Sequence, residues 1–185
     1  MEIIPMEFNN GKFTGQSLFV SGCHFHCKGC FNPQAWDYNA GKEFTEEVKK
    51  KFIEDAKRRS IMRVSILGGE PLDDNNVSEV LSLLKDLKRE KKSLIIWVFT
   101  GFKIEDIIKP KHHDENSKKR KECLEYIDTL VDGQYDEALH DELLPFRGSS
   151  NQRIIDVKSE YIVNTKRGEK RTIIYGILSS FFRKK

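Results

Sequence analysis

The sequence predicts an α/β fold built from parallel strand–helix units, on three grounds. Short apolar runs of strand length alternate with stretches of helical periodicity. Four of the runs end in a small or polar motif: a cysteine cluster, Gly68-Gly69-Glu70, Thr100-Gly101 and Asp132-Gly133. Ligands of parallel α/β folds sit at the carboxyl ends of the strands, so these motifs are expected to converge on one edge. That layout favours an enzyme over a binding module.

The elements follow in order. "SLFVSGC" (17–23) is a buried-strand pattern that runs into the cysteines. "FTEEVKKKFIEDAKRR" is a helix, with Thr45 as N-cap, Glu46 and Glu47 at its positive end, and Val48, Phe52, Ile53 and Ala56 as its apolar stripe. "IMRVSIL" (61–67) is a second strand, halted by "GGEP". A second helix from about 76 to 90 carries Val77, Val80, Leu81, Leu84 and Leu87 on one face. "LIIWVFT" (94–100) is a third strand, and a short helix covers 104–108. The charged stretch "KPKHHDENSKKRKE" has no periodicity and predicts a solvated loop or insert at about 109–121. "YIDTLVDG" (126–133) is a fourth strand, and the polar turn "RGSSNQR" (147–153) precedes "IIDV". After Val157 the alternation stops. The tail suits either two strands joined at Gly168 or a strand and an amphipathic helix.

A chain of 185 residues with 38% hydrophobic content fits one domain. That domain is expected at 1–157, with 158–185 as a basic C-terminal extension of unknown role. The net charge of +3 is unevenly spread. From Lys158 onward eight Lys/Arg face two acids, which leaves 24 basic and 27 acidic residues before it. No basic face runs through the domain, so no nucleic-acid partner is expected. No run approaches a membrane span either. "MEIIPMEFNN" has acids and no basic or long apolar region, so a secretory leader is not expected. The expectation is a cytoplasmic protein with reduced thiols, where clustered cysteines mean metal before disulfide.

Three of the four cysteines lie in "CHFHCKGC", spaced C-x3-C-x2-C at Cys23, Cys27 and Cys30. One option is zinc, with His24 or His26 as fourth ligand. Structural zinc commonly draws on a second pair of cysteines, which this chain lacks, and each histidine adjoins a cysteine too closely to share a tetrahedron easily. Cys123 sits in an apolar setting, "CLEYI", that suits a buried small side chain. The simplest alternative is a 4Fe–4S cluster with three thiolates and one open iron, a Lewis acid in need of a chelator.

With "GGEP" one strand–helix unit later, the chain resembles the radical S-adenosylmethionine superfamily. Gly29, where that superfamily often has an aromatic residue, resembles the branch of anaerobic ribonucleoside-triphosphate reductase-activating proteins. So do "SLFVSGC", "WVFTGF", "LVDGQYDEAL" and "RGSSNQRIID", which together span about 8–157. The resemblance implies a 4Fe–4S cluster on Cys23, Cys27 and Cys30 whose open iron is chelated by S-adenosylmethionine. It implies reductive cleavage of that cofactor to a 5′-deoxyadenosyl radical, which makes a glycyl radical near the C-terminus of the reductase. A flavodoxin- or ferredoxin-like electron donor is implied as well.

By the same resemblance, Gly29 and Phe31 line the adenine side of the cofactor, and Gly68, Gly69 and Glu70 hold its methionine amino group. Thr100 and Gly101 contact ribose or methionine, or else cap a helix. Asp132, Asn151, Gln152 and Arg153 contact cofactor, cluster loop or partner, or else order turns. His24 and His26 shape the cluster's surroundings or take a proton or hydrogen-bond role, His112 and His113 belong to the insert, and Trp36 and Tyr38 pack in the core, or else on the cluster loop or in a partner surface. A closed (β/α)8 barrel typically needs about 250 residues. The fold implied is therefore an incomplete TIM-type barrel of parallel strands, with cluster and cofactor at their C-terminal ends and one side open for the reductase. The rival readings are a radical enzyme acting on another glycyl-radical protein or a small molecule, such as a deazapurine ring-contraction enzyme, and a zinc-binding interaction module.

Overall fold

The computed structural model describes residues 1–159, together with the backbone of two short strands near the C-terminus. Its centre is a sheet of eight strands that lie side by side in chain order. They are β1 (Glu2–Glu7), β2 (Gly15–Val20), β3 (Arg63–Gly68), β4 (Ile95–Thr100), β5 (Thr129–Asp132), β6 (Arg153–Asp156), β7 (Tyr161–Ile162) and β8 (Thr172–Ile173). The helices are α1 (Glu46–Lys57), α2 (Val77–Glu90), α3 (Ile104–Ile108) and α4 (Glu115–Cys123).

The α/β class and the order of the elements agree with the sequence, but the sheet is mixed. Strands β2 to β5 are parallel. The edges are antiparallel: β1 against β2, and β6, β7 and β8 each against its neighbour. Strand β1 escapes sequence reading because it is an edge strand, half of it exposed and interrupted by Pro5, and so shows no buried alternation.

Among the described residues, the α-helices pack on one face of the sheet. Leu18, Val20, Val64, Ile66, Ile96, Val98 and Leu130 meet Phe52, Leu84, Ile107 and Leu124 in one core. The alternate residues of the strands point the other way, where Trp97, Val131 and Ile154 pack with Phe99 and Phe146. The cause is topological. Successive parallel strands are neighbours, and crossovers of one hand that always step in the same direction place every helix on the same side. The register sets Val20 beside Gly68 and Thr100 beside Asp132, which aligns the strand ends.

Thr45 caps α1 as expected, its hydroxyl accepting from Val48 N at 3.4 Å. The stripe predicted for α2 is buried. The solvated loop expected at 109–121 is corrected. Its second half is α4, begun by the Asp114 carboxylate, which accepts from Ser117 N at 2.6 Å. The helix lacks an apolar stripe, so periodicity misses it. It is held by its cap, by the buried Cys123 and by Arg120, whose guanidinium lies 4.6 Å from the Phe102 ring centre and donates to Leu72 O at 2.7 Å.

Of the two forms considered for the tail, the described part is the antiparallel pair β7–β8, and the turn at Gly168 lies outside the described residues. Among the described residues no helix is long and apolar enough to cross a membrane.

Candidate functional site

The cysteine loop leaves β2 through Gly22, whose φ is +89° and where a Cβ would stand 2.2 Å from the Tyr38 ring. The loop returns through a single 3-10 turn, Pro33–Trp36, and closes on itself by Gly22 N to Ala35 O at 2.8 Å and Cys23 N to Trp36 O at 3.3 Å. The end of β3 is stitched to it. Gly69 N donates to Val20 O and Glu70 N to Gly22 O, both at 2.8 Å. A Cβ on Gly69 would lie 2.4 Å from the Gly22 carbonyl oxygen, so the two strand ends approach at glycine distance only.

Glu70 is 1% exposed. One of its oxygens accepts from Leu72 N at 2.8 Å and from the Thr100 hydroxyl at 2.7 Å; the other accepts from Gly101 N at 2.7 Å. Burial pushes its carboxyl up to about 7, although the bonds from Gly101, Thr100 and Leu72 pull in the other direction. Thr100 and Gly101 therefore belong to the Glu70 site. They do not cap α3, whose first N–H, on Ile104, goes to the Asp132 carboxylate at 2.9 Å.

Asp132 is fully buried and lies in the fork of Arg153, which reaches its two oxygens at 2.8 and 2.5 Å. The same guanidinium grips Glu105 at 2.8 and 2.6 Å. Asp132 and Arg153 thus order the α3 turn. Asn151 donates to Gln134 O at 2.8 Å. Gln152 donates to Gly133 O at 3.0 Å and accepts from Gly148 N at 2.9 Å, tying together the two loops that face the cysteines.

Together these elements enclose a cleft of about 630 Å³. Cys23, Cys27, Cys30, Phe31, Gly68, Gly69, Glu70, Thr100 and Gly101 all line it, so the convergence expected from chain order is present. Gly29 does not line it. At φ +71°, a Cβ there would stand 2.8 Å from a Glu137 carboxylate oxygen, so its smallness admits the segment after β5 against the cysteine loop. That segment supplies walls the sequence did not single out: Tyr135, His140 and Phe146. They lie outside regular strand and helix, so no periodicity marks them. Phe19, Leu67 and Phe99 form the apolar floor from the face of the sheet opposite α1 to α4.

The histidines are engaged away from the thiols. His24 Nδ1 lies 2.5 Å from Asp73 Oδ2, and the His26 ring lies 4.8 Å from Trp36. Asp73 is 2% exposed, yet its carboxyl sits below the usual range: burial opposes this, and bonds from Asn75, His24 and Tyr38 outweigh it. Tyr38 is 43% exposed rather than core, its ring lies against Gly22 of the cysteine loop and its hydroxyl donates to Asp73 at 2.9 Å, while Trp36 is half-buried at the cleft. His113 is exposed, and His112 lies on the rim of a second cleft of about 530 Å³ beside α3 and α4. Cys123 is buried in the helical core, and burial pushes its thiol up to about 12.

Cys23, Cys27 and Cys30 are half-buried and free of disulfides. Burial raises the thiols of Cys23 and Cys27, opposed by backbone N–H groups of Phe25 and His26 at Cys23 and of Tyr135 at Cys27. Asn32 N donates to Cys30 Sγ at 3.4 Å. Among the described residues no three His, Cys, Asp or Glu side chains stand close enough to hold a single ion. Three thiols on one cleft wall, each with backbone N–H donors at sulfur, are the donor set and hydrogen bonding that iron–sulfur clusters use, and the residues present fit such a group.

Residues 9–155 match the family described as a 4Fe-4S single cluster domain. The chain is 37% identical over 156 residues to the anaerobic ribonucleoside-triphosphate reductase-activating protein of Haemophilus influenzae, covering 83% of this chain and 95% of that protein. To the protein of the same name from Escherichia coli K12 it is 37% identical over 150 residues, covering 80% and 92%. To that of Enterobacteria phage T4 it is 34% identical over 152 residues, covering 82% and 90%.

Proposed function

The chain belongs to the family of anaerobic ribonucleoside-triphosphate reductase-activating proteins, and on that footing we propose that Cys23, Cys27 and Cys30 hold a 4Fe–4S cluster whose open iron takes S-adenosylmethionine. The observation that carries this is the meeting of three thiols, the Gly68-Gly69-Glu70 turn and Thr100-Gly101 on one cleft. When bound and reduced, the cluster and cofactor supply one-electron cleavage of a sulfonium and a carbon radical able to take hydrogen from a glycine Cα.

The chain's own residues bind, orient and exclude water. Glu70 offers a buried carboxylate to the methionine ammonium, and among the described residues the oxygen bonded to Gly101 N accepts only that one donor. Gly68 and Gly69 keep that turn against the cysteine loop. Phe31, 67% exposed at the cleft and 5.1 Å from the Tyr135 ring, offers an aromatic surface for adenine. Gly29 acts from behind by admitting Glu137. The substrate is the glycine-bearing C-terminal loop of the reductase, and electrons come from a flavodoxin- or ferredoxin-like donor. Reduced thiols suit a cytoplasmic location.

Helix cover on one face among the described residues supports the partial β/α barrel, whose other face would admit a peptide. Residues 1–157 are the enzymatic unit, and 158–185 extend from it.

Anaerobic reconstitution tests the cluster. A brown protein with about four irons per chain that cleaves S-adenosylmethionine to methionine and 5′-deoxyadenosine is expected, and Cys27→Ala should abolish cleavage. A colourless zinc protein, or unimpaired cleavage in that variant, refutes the assignment.

A further inference from the structure

We propose that Asp73 is a positioning residue which clamps both ends of the cysteine loop and so sets how firmly Cys23 holds its iron; this rests on the cluster reading above. The acid stands three residues beyond Glu70, outside the cysteine-lined cleft, and with His24 and Tyr38 it lines the second one. It is a rigid anchor. Its N–H donates to Glu70 O at 3.1 Å, and its carbonyl accepts from Val77 N at 2.8 Å in the first turn of α2. One carboxylate oxygen accepts from Asn75 N at 3.0 Å and from the Asn75 side chain at 3.2 Å. The other takes His24 Nδ1 at 2.5 Å and the Tyr38 hydroxyl at 2.9 Å.

Those last two partners flank the loop. His24 follows Cys23 directly, and Tyr38 stands just past the turn Pro33–Trp36 that closes it. One buried oxygen therefore ties the entry of the loop to its exit. A carboxylate has about four acceptor sites, and all four are used, so no ligand is left for this group to bind. Its work is internal.

The His24 arm is also packed along one side. The His24 ring lies 4.1 Å from Phe25 and 5.5 Å from Phe102, and Arg120 of α4 covers Phe102 at 4.6 Å. The charged insert thereby gains a place in the site: through Phe102 it keeps His24 turned towards Asp73. Buried hydrogen-bond networks act as units, so loosening one arm is felt at the other. With the clamp open, Cys23 keeps only the backbone closure of the loop, its N–H on Trp36 O at a long 3.3 Å, whereas Cys27 and Cys30 stay tied to each other by Cys30 N to Cys27 O at 3.1 Å.

The test compares wild type with Asp73→Ala, Asp73→Asn and Tyr38→Phe as full-length chains, reconstituted anaerobically. Three things are measured: iron release to a chelator, the paramagnetic resonance spectrum of the reduced cluster, and amide exchange across residues 23–38. Expected for Asp73→Ala are iron release about tenfold faster or more, an altered spectrum, and faster exchange confined to 23–38. Asp73→Asn, which keeps an acceptor oxygen, should recover most of it, and Tyr38→Phe should lie between. Unchanged release, spectrum and exchange in all three variants overturns the clamp. If Asp73→Ala does not fold, Tyr38→Phe decides, and unchanged release, spectrum and exchange in that variant overturn the clamp. A wild type that takes up no cluster defeats the functional reading instead; exchange across 23–38 then still decides the clamp, and equal rates in wild type and variants overturn it.

Discussion

The Thr100 hydroxyl donates to the Glu70 carboxylate at 2.7 Å, joining the ends of two neighbouring parallel strands. Together with Gly101 N and Leu72 N it makes Glu70 the node of the cleft. Two motifs separated by a whole strand–helix unit in sequence are one unit in space.

Glu70 gives stability a pH dependence. Its folded value of about 7 lies above the ordinary 4.5, so the folded state binds the proton more tightly. The contribution is complete below about pH 4.5 and is lost as pH rises through about 7. In the protein without S-adenosylmethionine, the urea midpoint should fall between about pH 5 and pH 7.5, and Glu70→Gln should flatten that fall. An equal slope in both proteins would count against the buried carboxyl.

Removing Arg153 leaves the fully buried Asp132 without its counter-charge. Arg153→Met should cost about 3 kcal/mol in urea denaturation. It should also blunt acid sensitivity. The bond from Arg153 holds the Glu105 carboxyl below the ordinary 4.5, a contribution present above that value and lost on acidification through the lowered one. A variant with wild-type stability would show the fork to be dispensable.

Gly69→Ala places a methyl group 2.4 Å from Gly22 O and 2.9 Å from Ala35 O, both backbone atoms. The cysteine loop must shift, so cofactor cleavage should fall at least about a hundredfold while the far side of the sheet keeps its exchange protection; displacements of about 1 Å suffice for such losses. Near-normal cleavage would mean that the loop tolerates displacement.

Asp114→Ala removes the cap of α4 and should cost about 1 kcal/mol, read from the urea midpoint. No change would mean that contacts with α2 and Phe102 hold the helix alone.

Much of this was legible in the sequence because it rests on local signals. Thr45 with Glu46 and Glu47 announced α1, and the α2 stripe was buried as written. The order of strand-ending motifs placed the three cysteines, Glu70 and Thr100 on one cleft. What was not legible depends on tertiary contact. Strand β1 is an exposed edge, α4 has no apolar face, and the antiparallel turn at β6 follows from no periodicity. Tyr135 and His140 reach the cleft from an irregular segment, and the Asp73–His24 bond joins residues 49 apart. Gly29 was marked by resemblance alone, and the approach of Glu137 supplies its physical reason.

The central claim is tested most directly by paramagnetic resonance. The reduced, reconstituted chain is incubated anaerobically with S-adenosylmethionine and an anaerobic ribonucleoside-triphosphate reductase. The account predicts a glycyl doublet on the reductase that is absent with Cys27→Ala. A wild-type protein that carries its cluster and cleaves the cofactor, yet yields no doublet on any such reductase, would contradict it.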